Sequence, residues 1–141
     1  MNFTLNFNRK FQYLIFSLII FSTIISCEDA KSNDNQFDKN FVHTVYIWLN
    51  NPDSKEDRKL FEESLNKFLN TSKYAKTNFV GTPAGTDREV VDNSYTYAIV
   101  VTFSSKEEQD LYQKEEAHLL FIKEASSLWN KVQIYDAIGI D

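Results

Sequence analysis

The 141-residue chain is poor in the residues that usually carry cross-links, metals and turns: one cysteine, two histidines, three glycines and two prolines. A lone cysteine excludes an intramolecular disulfide. The scarcity of glycine and proline, set against 12 Phe, 7 Tyr and 2 Trp, leaves room for few irregular loops and favours a compact body. No apolar run reaches the about 20 residues of a membrane-spanning helix. The longest candidate follows Arg9 and Lys10 and is interrupted by Gln12, Ser17 and Ser22. The one glycine-bearing loop, "GTPAGT", lacks the glycine-lysine end of a phosphate cradle. Carboxylate-rich stretches such as "KEEQD" and "KEDRKLFEE" have no calcium-loop spacing and read as solvated helix faces, so no metal site is expected.

Two basic residues followed by an apolar stretch and small residues have the layout of a secretory signal over residues 1–26. "IISC" (residues 24–27) resembles a bacterial lipobox, which implies a diacylglycerol on Cys27. Two acyl chains hold a domain on a bilayer where one is marginal. The expectation is therefore a protein of the bacterial cell envelope, bound to the membrane through its lipid. Residues 27–40, rich in Asp and Asn and almost without aliphatic side chains, read as a flexible tether to a domain at 41–141. From Cys27 onward the chain carries 13 Lys and Arg against 20 Asp and Glu, a net charge of −7 that disfavours nucleic acid as a partner.

"FVHTVYIWL" (41–49) has apolar groups on both faces and reads as a covered strand. Phe41, His43, Val45, Ile47 and Leu49 share one face; Val42, Thr44, Tyr46 and Trp48 take the other. Ser54 and Asp57 approximate a capping box before a helix to about Thr71, with Leu60, Phe61, Leu65, Phe68 and Leu69 as its apolar stripe. A short strand follows and runs out at Gly81, Pro83 and Gly85, with a brief extended piece at Val90 and Val91. "SYTYAIVVTF" (94–103) is the strongest strand signal. Ser105 and Glu108 cap a second helix that continues, with a break, to about Trp129, and "KVQIYDAIG" closes the chain as a strand. The order β-α-β-β-α-β specifies an α+β fold in which two helices cover one sheet face. The other face stays apolar, and a second copy of the chain is its simplest cover, so a homodimer through the sheet face is expected.

These segments also carry a likeness. "FVHTVYIWL", "VGTPAGTDREVVDNSYTYAIVVTF", "LYQKEEAH" and "LWNKVQIYD", in that order, resemble the stress-responsive dimeric α/β-barrel domain, called Dabb, over Phe41 to Asp136. The resemblance implies a ferredoxin-like protomer with a four-stranded antiparallel sheet, and a dimer whose sheets close into an α+β barrel. Most members have no settled activity. Plant polyketide cyclases of the group use a Tyr and a His six residues apart for proton transfer, roles that fall on Tyr112 and His118, with His43 as a further pocket histidine. Where those cyclases have another strand histidine this chain has Tyr97, and where the family commonly writes His-Pro it has Glu115 and Glu116.

On an unbroken helix, residues six apart point about 120° away from each other. A joint Tyr112–His118 site therefore requires a break within "QKEE". Given the break, His118 is a candidate general base and Tyr112 a hydrogen-bond donor to a developing oxyanion, with no cofactor needed. The alternative is that His118 heads a core stripe with Phe121, Ile122, Ala125 and Trp129. Three functions remain open at this point. One is a module that binds a small apolar or aromatic molecule between helices and sheet, lined by Tyr97, Phe121 and Trp129; the second is a cofactor-free cyclase, isomerase or lyase. The third is haem or oxygen chemistry, which occurs in other dimeric α+β-barrel groups and would need His118 or His43 as axial ligand.

Overall fold

The computed structural model describes residues 37–75 and 77–140. The signal segment and Cys27 lie outside them. Four strands and three α-helices follow in the order β1 (Phe41–Leu49), α1 (Lys55–Thr71), β2 (Thr77–Gly81), β3 (Tyr97–Phe103), α2 (Lys106–Tyr112), α3 (Glu116–Ala125), a 3₁₀ turn (Ser126–Leu128) and β4 (Trp129–Ile138). The strands form one antiparallel sheet in the order β2-β3-β1-β4. This is the ferredoxin-like arrangement that the sequence leads one to expect, with the second helix divided in two.

The strand with apolar groups on both faces, β1, is central. It pairs with β3 (Val45 opposite Ile99) and with β4 (Val45 opposite Ile134), and this register places Asp136 opposite His43. Directly opposed residues share a face, so His43 and Asp136 both face the helices. The helices close the core with Phe61, Leu65 and Phe68 from α1, Tyr112 from α2, and Phe121 and Ala125 from α3. Phe61 stacks on Tyr97 at 4.7 Å between centroids and meets Phe121 and Trp129 edge-on, at 6.0 and 6.1 Å. Burial of such rings is the main stabilising term, and truncating one fully buried Phe costs about 3–5 kcal/mol.

Helix caps form where the sequence puts them: Ser54 Oγ accepts from the Asp57 N–H, and Ser105 Oγ from that of Glu108. Several expectations need correction. Leu60 is half exposed, and the buried stripe of α1 is Phe61, Ser64, Leu65 and Phe68. That spacing of three and four keeps one face inward, and Leu60 falls about 40° beyond its edge. Ser64 is tolerated there because its hydroxyl donates to Glu124 of α3, which also takes Lys67. Val90 and Val91 form a turn, closed by the Val91 N–H on the Arg88 carbonyl, and pair with no strand. β3 starts at Tyr97, three residues late, because the Ser94 N–H donates to the Asp92 side chain and turns the chain first. Trp129 begins β4 and does not end a helix, while Ile122 of the expected core stripe is 39 % exposed.

The last residues of the expected tether are held in place. The Asp38 N–H donates to Thr102 Oγ1, and the Gly139 N–H to the Asn40 carbonyl. A side chain at Gly139 would collide with the Lys39 carbonyl oxygen, which accounts for glycine at that position. Among the described residues, no helix is long and apolar enough to cross a membrane.

Candidate functional site

The break between α2 and α3 brings together side chains from every layer. α2 ends at Tyr112, residues 113–115 turn, and α3 restarts at Glu116. The Tyr112 and His118 rings thereby come within 4.8 Å, centroid to centroid. His43, rising from β1, lies 5.8 Å from Tyr112. Phe68 of α1 and Phe103 of β3 wall the group, 5.5 and 4.9 Å from Tyr112, and Phe68 is also 5.5 Å from His118. Three expected site residues are thus assembled: Tyr112, His118 and His43.

Their protonation follows from their neighbours. His118 Nδ1 lies 3.2 Å from the Gln113 carbonyl oxygen. A carbonyl only accepts, so Nδ1 carries the hydrogen and Nε2 keeps its lone pair. Burial holds the His118 pKa below the ordinary histidine value; His43 adds to the lowering, while the Gln113 carbonyl and Glu115 oppose it. The ring is therefore neutral and basic at Nε2 near neutral pH. Burial, aided by the carboxylates of Glu115 and Asp136, raises the Tyr112 pKa well above the ordinary phenol range. Tyr112 is accordingly a proton-bearing donor, and among the described residues its hydroxyl has no hydrogen-bond partner. A neutral base and an uncommitted phenol side by side can bind a ligand carbonyl or hydroxyl, or move a proton next to one.

Sequence reasoning missed Asp136. Its Oδ1 accepts from His43 Nδ1 at 2.6 Å; the imidazole is buried and the carboxylate half exposed. The bond fixes the His43 tautomer and turns Nε2 away from β4. The signal was present in alternation: Val132, Ile134, Asp136 and Ile138 share one face of β4, and a carboxylate in that apolar series requires a partner.

The other proposed ligand residues lie apart from this group. Phe121 is buried between Phe68, stacked at 5.2 Å, and Trp129 at 5.7 Å, so Phe121 fills the core and the partly buried Trp129 packs against it. Tyr97 is buried as well. Its hydroxyl donates to Glu62 at 2.5 Å and accepts from Arg58 at 3.2 Å, and burial together with the Glu62 bond pushes its pKa up to about 12. It lines a depression of about 350 Å³ with Glu62, Asn66 and Val80, beside the edge strand. A larger one of about 490 Å³ separates the end of α1 from the helix break, between Lys73, Tyr74, Lys114 and Glu115. A third, of about 330 Å³, opens on the outer sheet face between Tyr46, Trp48, Asp92 and Tyr135. Among the described residues, no group of three or more His, Cys, Asp or Glu is placed to hold a metal ion.

The family model for the stress-responsive A/B barrel domain, Dabb, matches residues 41–138. The chain belongs to the Dabb family. Solved structures share the Dabb fold. A hydroxynitrile lyase from Passiflora edulis matches with a TM-score of 0.61 at 21% identity, over 71% of this chain and 94% of its own. A Dabb family protein with a ferredoxin-like fold from Mesorhizobium loti matches at 0.60 and 16%, over 72% and 97%. A dimeric ferredoxin-like protein of unknown function from Thermobifida fusca matches at 0.56 and 13%, over 70% and 89%. No curated protein matches the chain by sequence. At these identities the likeness carries the fold alone.

Proposed function

We propose that this Dabb protein binds a small apolar or aromatic molecule bearing a carbonyl or hydroxyl group, with Tyr112 donating to that oxygen and, where it is a hydroxyl, His118 Nε2 accepting its hydrogen. The observation that carries the reading is the 4.8 Å approach of a neutral, half-buried imidazole to a proton-bearing phenol across the helix break. Phe68 and Phe103 offer the apolar walls such a molecule needs. Admission of a ligand requires the short α2 and the turn after it to shift, since the surrounding rings are already in contact. The test is mass spectrometry of small molecules retained by the purified full chain, followed by titration with the compound found. Retention by the parent chain and loss in Tyr112→Phe and His118→Ala supports the reading; equal retention by all three overturns it.

A second reading is cofactor-free proton transfer at the same place, as in a cyclase, isomerase or lyase. It is favoured by the His43–Asp136 pair, which places a second oriented imidazole 5.8 Å from Tyr112. The hydroxynitrile lyase among the structural neighbours is consistent with it. Two further parts of the account are the chain's export with lipidation at Cys27 and its pairing as a homodimer through the outer sheet face. The dimer is supported by the half-exposed Tyr46 and Trp48, by the exposed Phe79 and Tyr135 on that face, and by the dimeric Thermobifida fusca neighbour.

A further inference from the structure

A helix broken without proline needs something else to hold the break. The backbone closes α2 with three bonds: the Gln113 N–H to the Gln109 carbonyl at 3.1 Å, that of Lys114 to Leu111 at 3.1 Å, and that of Glu115 to Tyr112 at 3.2 Å. Glu115 then turns extended, with ψ 149, and α3 starts with the Leu119 N–H on the Glu115 carbonyl. Standing at the N-cap, Glu115 makes no side-chain bond to its own helix. Its carboxylate reaches across to the end of α1 instead, where Oε1 accepts from Ser72 Oγ at 2.5 Å and Oε2 from the Lys73 N–H at 2.9 Å. Ser72 is the C-cap of α1, and its oxygen also accepts the N–H groups of Tyr74 and Ala75. One turn earlier in α1, Phe68 touches both Tyr112 and His118.

We propose that Glu115 is a positioning residue: by clamping the helix break onto the capped end of α1, it sets the distance and tilt between Tyr112 and His118. The clamp acts through those two residues and touches no ligand. Both of its carboxylate oxygens are committed to charge-assisted bonds, the stronger kind, and both partners belong to the segment that carries Phe68. Glu116, the first residue of α3, suits proline, since the missing N–H is not needed there and the preceding residue is already extended. A proline at 116 is therefore expected to stiffen the break by a different means and to substitute for the clamp.

The inference concerns the site proposed above but is tested without any ligand, so it stands or falls separately from what the site binds. The measurement is NMR of the full chain. Ring-to-ring contacts between Tyr112 and His118 and the His118 imidazole titration report the break, and the Phe61–Tyr97 ring contact serves as control. In Glu115→Ala the Tyr112–His118 contacts should weaken several-fold or vanish, and the His118 midpoint should rise toward the ordinary histidine value as the ring loses burial, the largest cause of its lowering, whereas loss of the Glu115 charge alone would move it down. The control contact should persist, and Glu115→Ala/Glu116→Pro should restore the parent pattern. Ser72→Ala, which removes one of the two bonds, should fall between. Unchanged contacts and titration in Glu115→Ala overturn the proposal. If Glu115→Ala does not fold, the double variant decides: a folded protein with the ring contacts restored supports the clamp, and failure of that variant too overturns a role in positioning.

Discussion

Tyr112 and His118, six residues apart in sequence, face each other at 4.8 Å because the helix between them is interrupted for three residues. Continuous helix would hold them about 120° apart. The interruption makes one place of two side chains that an intact helix would keep separate, and it places both against Phe68 and, through Tyr112, against His43.

Removing the Tyr112 hydroxyl should cost little stability, because the group has no partner among the described residues. Tyr112→Phe is expected to change the unfolding free energy by less than about 1 kcal/mol while weakening binding of an oxygen-bearing ligand by roughly 3- to 10-fold, the worth of one hydrogen bond. Urea unfolding together with ligand titration checks both halves.

His118 makes acid destabilising. Its folded pKa is lowered, chiefly by burial, so the unfolded chain binds the proton more readily. Its contribution is complete above the unfolded value of about 6.5 and is lost as pH falls from there through the folded value. His118→Gln should therefore flatten the decline in melting temperature just below pH 6.5, measured by circular dichroism.

Tyr97 and Tyr112 act at the opposite end of the scale. Both are raised in the folded state, Tyr97 to about 12. Stability from these phenols is intact below about 10, the unfolded value, and declines as pH rises through the folded values. Spectrophotometric titration should find two tyrosines that ionise only as the protein unfolds, and one fewer in Tyr97→Phe.

Asp136 should matter to the core even though its carboxylate is half exposed. Asp136→Ala leaves the buried His43 Nδ1–H without its acceptor, at an expected cost of about 1–3 kcal/mol, whereas Asp136→Asn retains an acceptor oxygen and should cost less. Chemical denaturation of the two variants separates a hydrogen-bond requirement from a charge requirement.

The outer sheet face gives a prediction about assembly. If a second copy covers it, Tyr135→Glu should shift the chain from dimer to monomer in analytical ultracentrifugation, since a buried unpaired carboxylate is costly. A monomeric parent chain would contradict the proposed pairing.

Much of this could be read from sequence, and the failures have physical reasons. β1 and β3 are legible as covered strands because nearly every position is aliphatic, β-branched or aromatic, and the Ser54 and Ser105 caps lie at fixed offsets from their helices. The spacing of Tyr112 and His118 could even demand a break. It could not say what holds one, because Glu115 acts through Ser72 and Lys73, more than forty residues away in the chain. Asp136 was missed for a related cause, as it is paired only once β1 and β4 come into register. Leu60 was misplaced because leucine fits either edge of an amphipathic stripe, and a serine with a partner on α3 took the inward position. Phe121 and Trp129 were expected around a ligand, but contact geometry alone places them with Phe61.

The central claim is that a small oxygen-bearing molecule is held between Tyr112 and His118. The most direct measurement is an NMR titration of the full chain with the molecule that mass spectrometry identifies, following side-chain signals of Tyr112, His118 and His43. The account predicts saturable shifts that begin at Tyr112 and His118, extend to His43, and disappear in Tyr112→Phe/His118→Ala. Shifts confined to Tyr97, or to Tyr46, Trp48 and Tyr135 on the outer face, with those three residues unmoved, would contradict it.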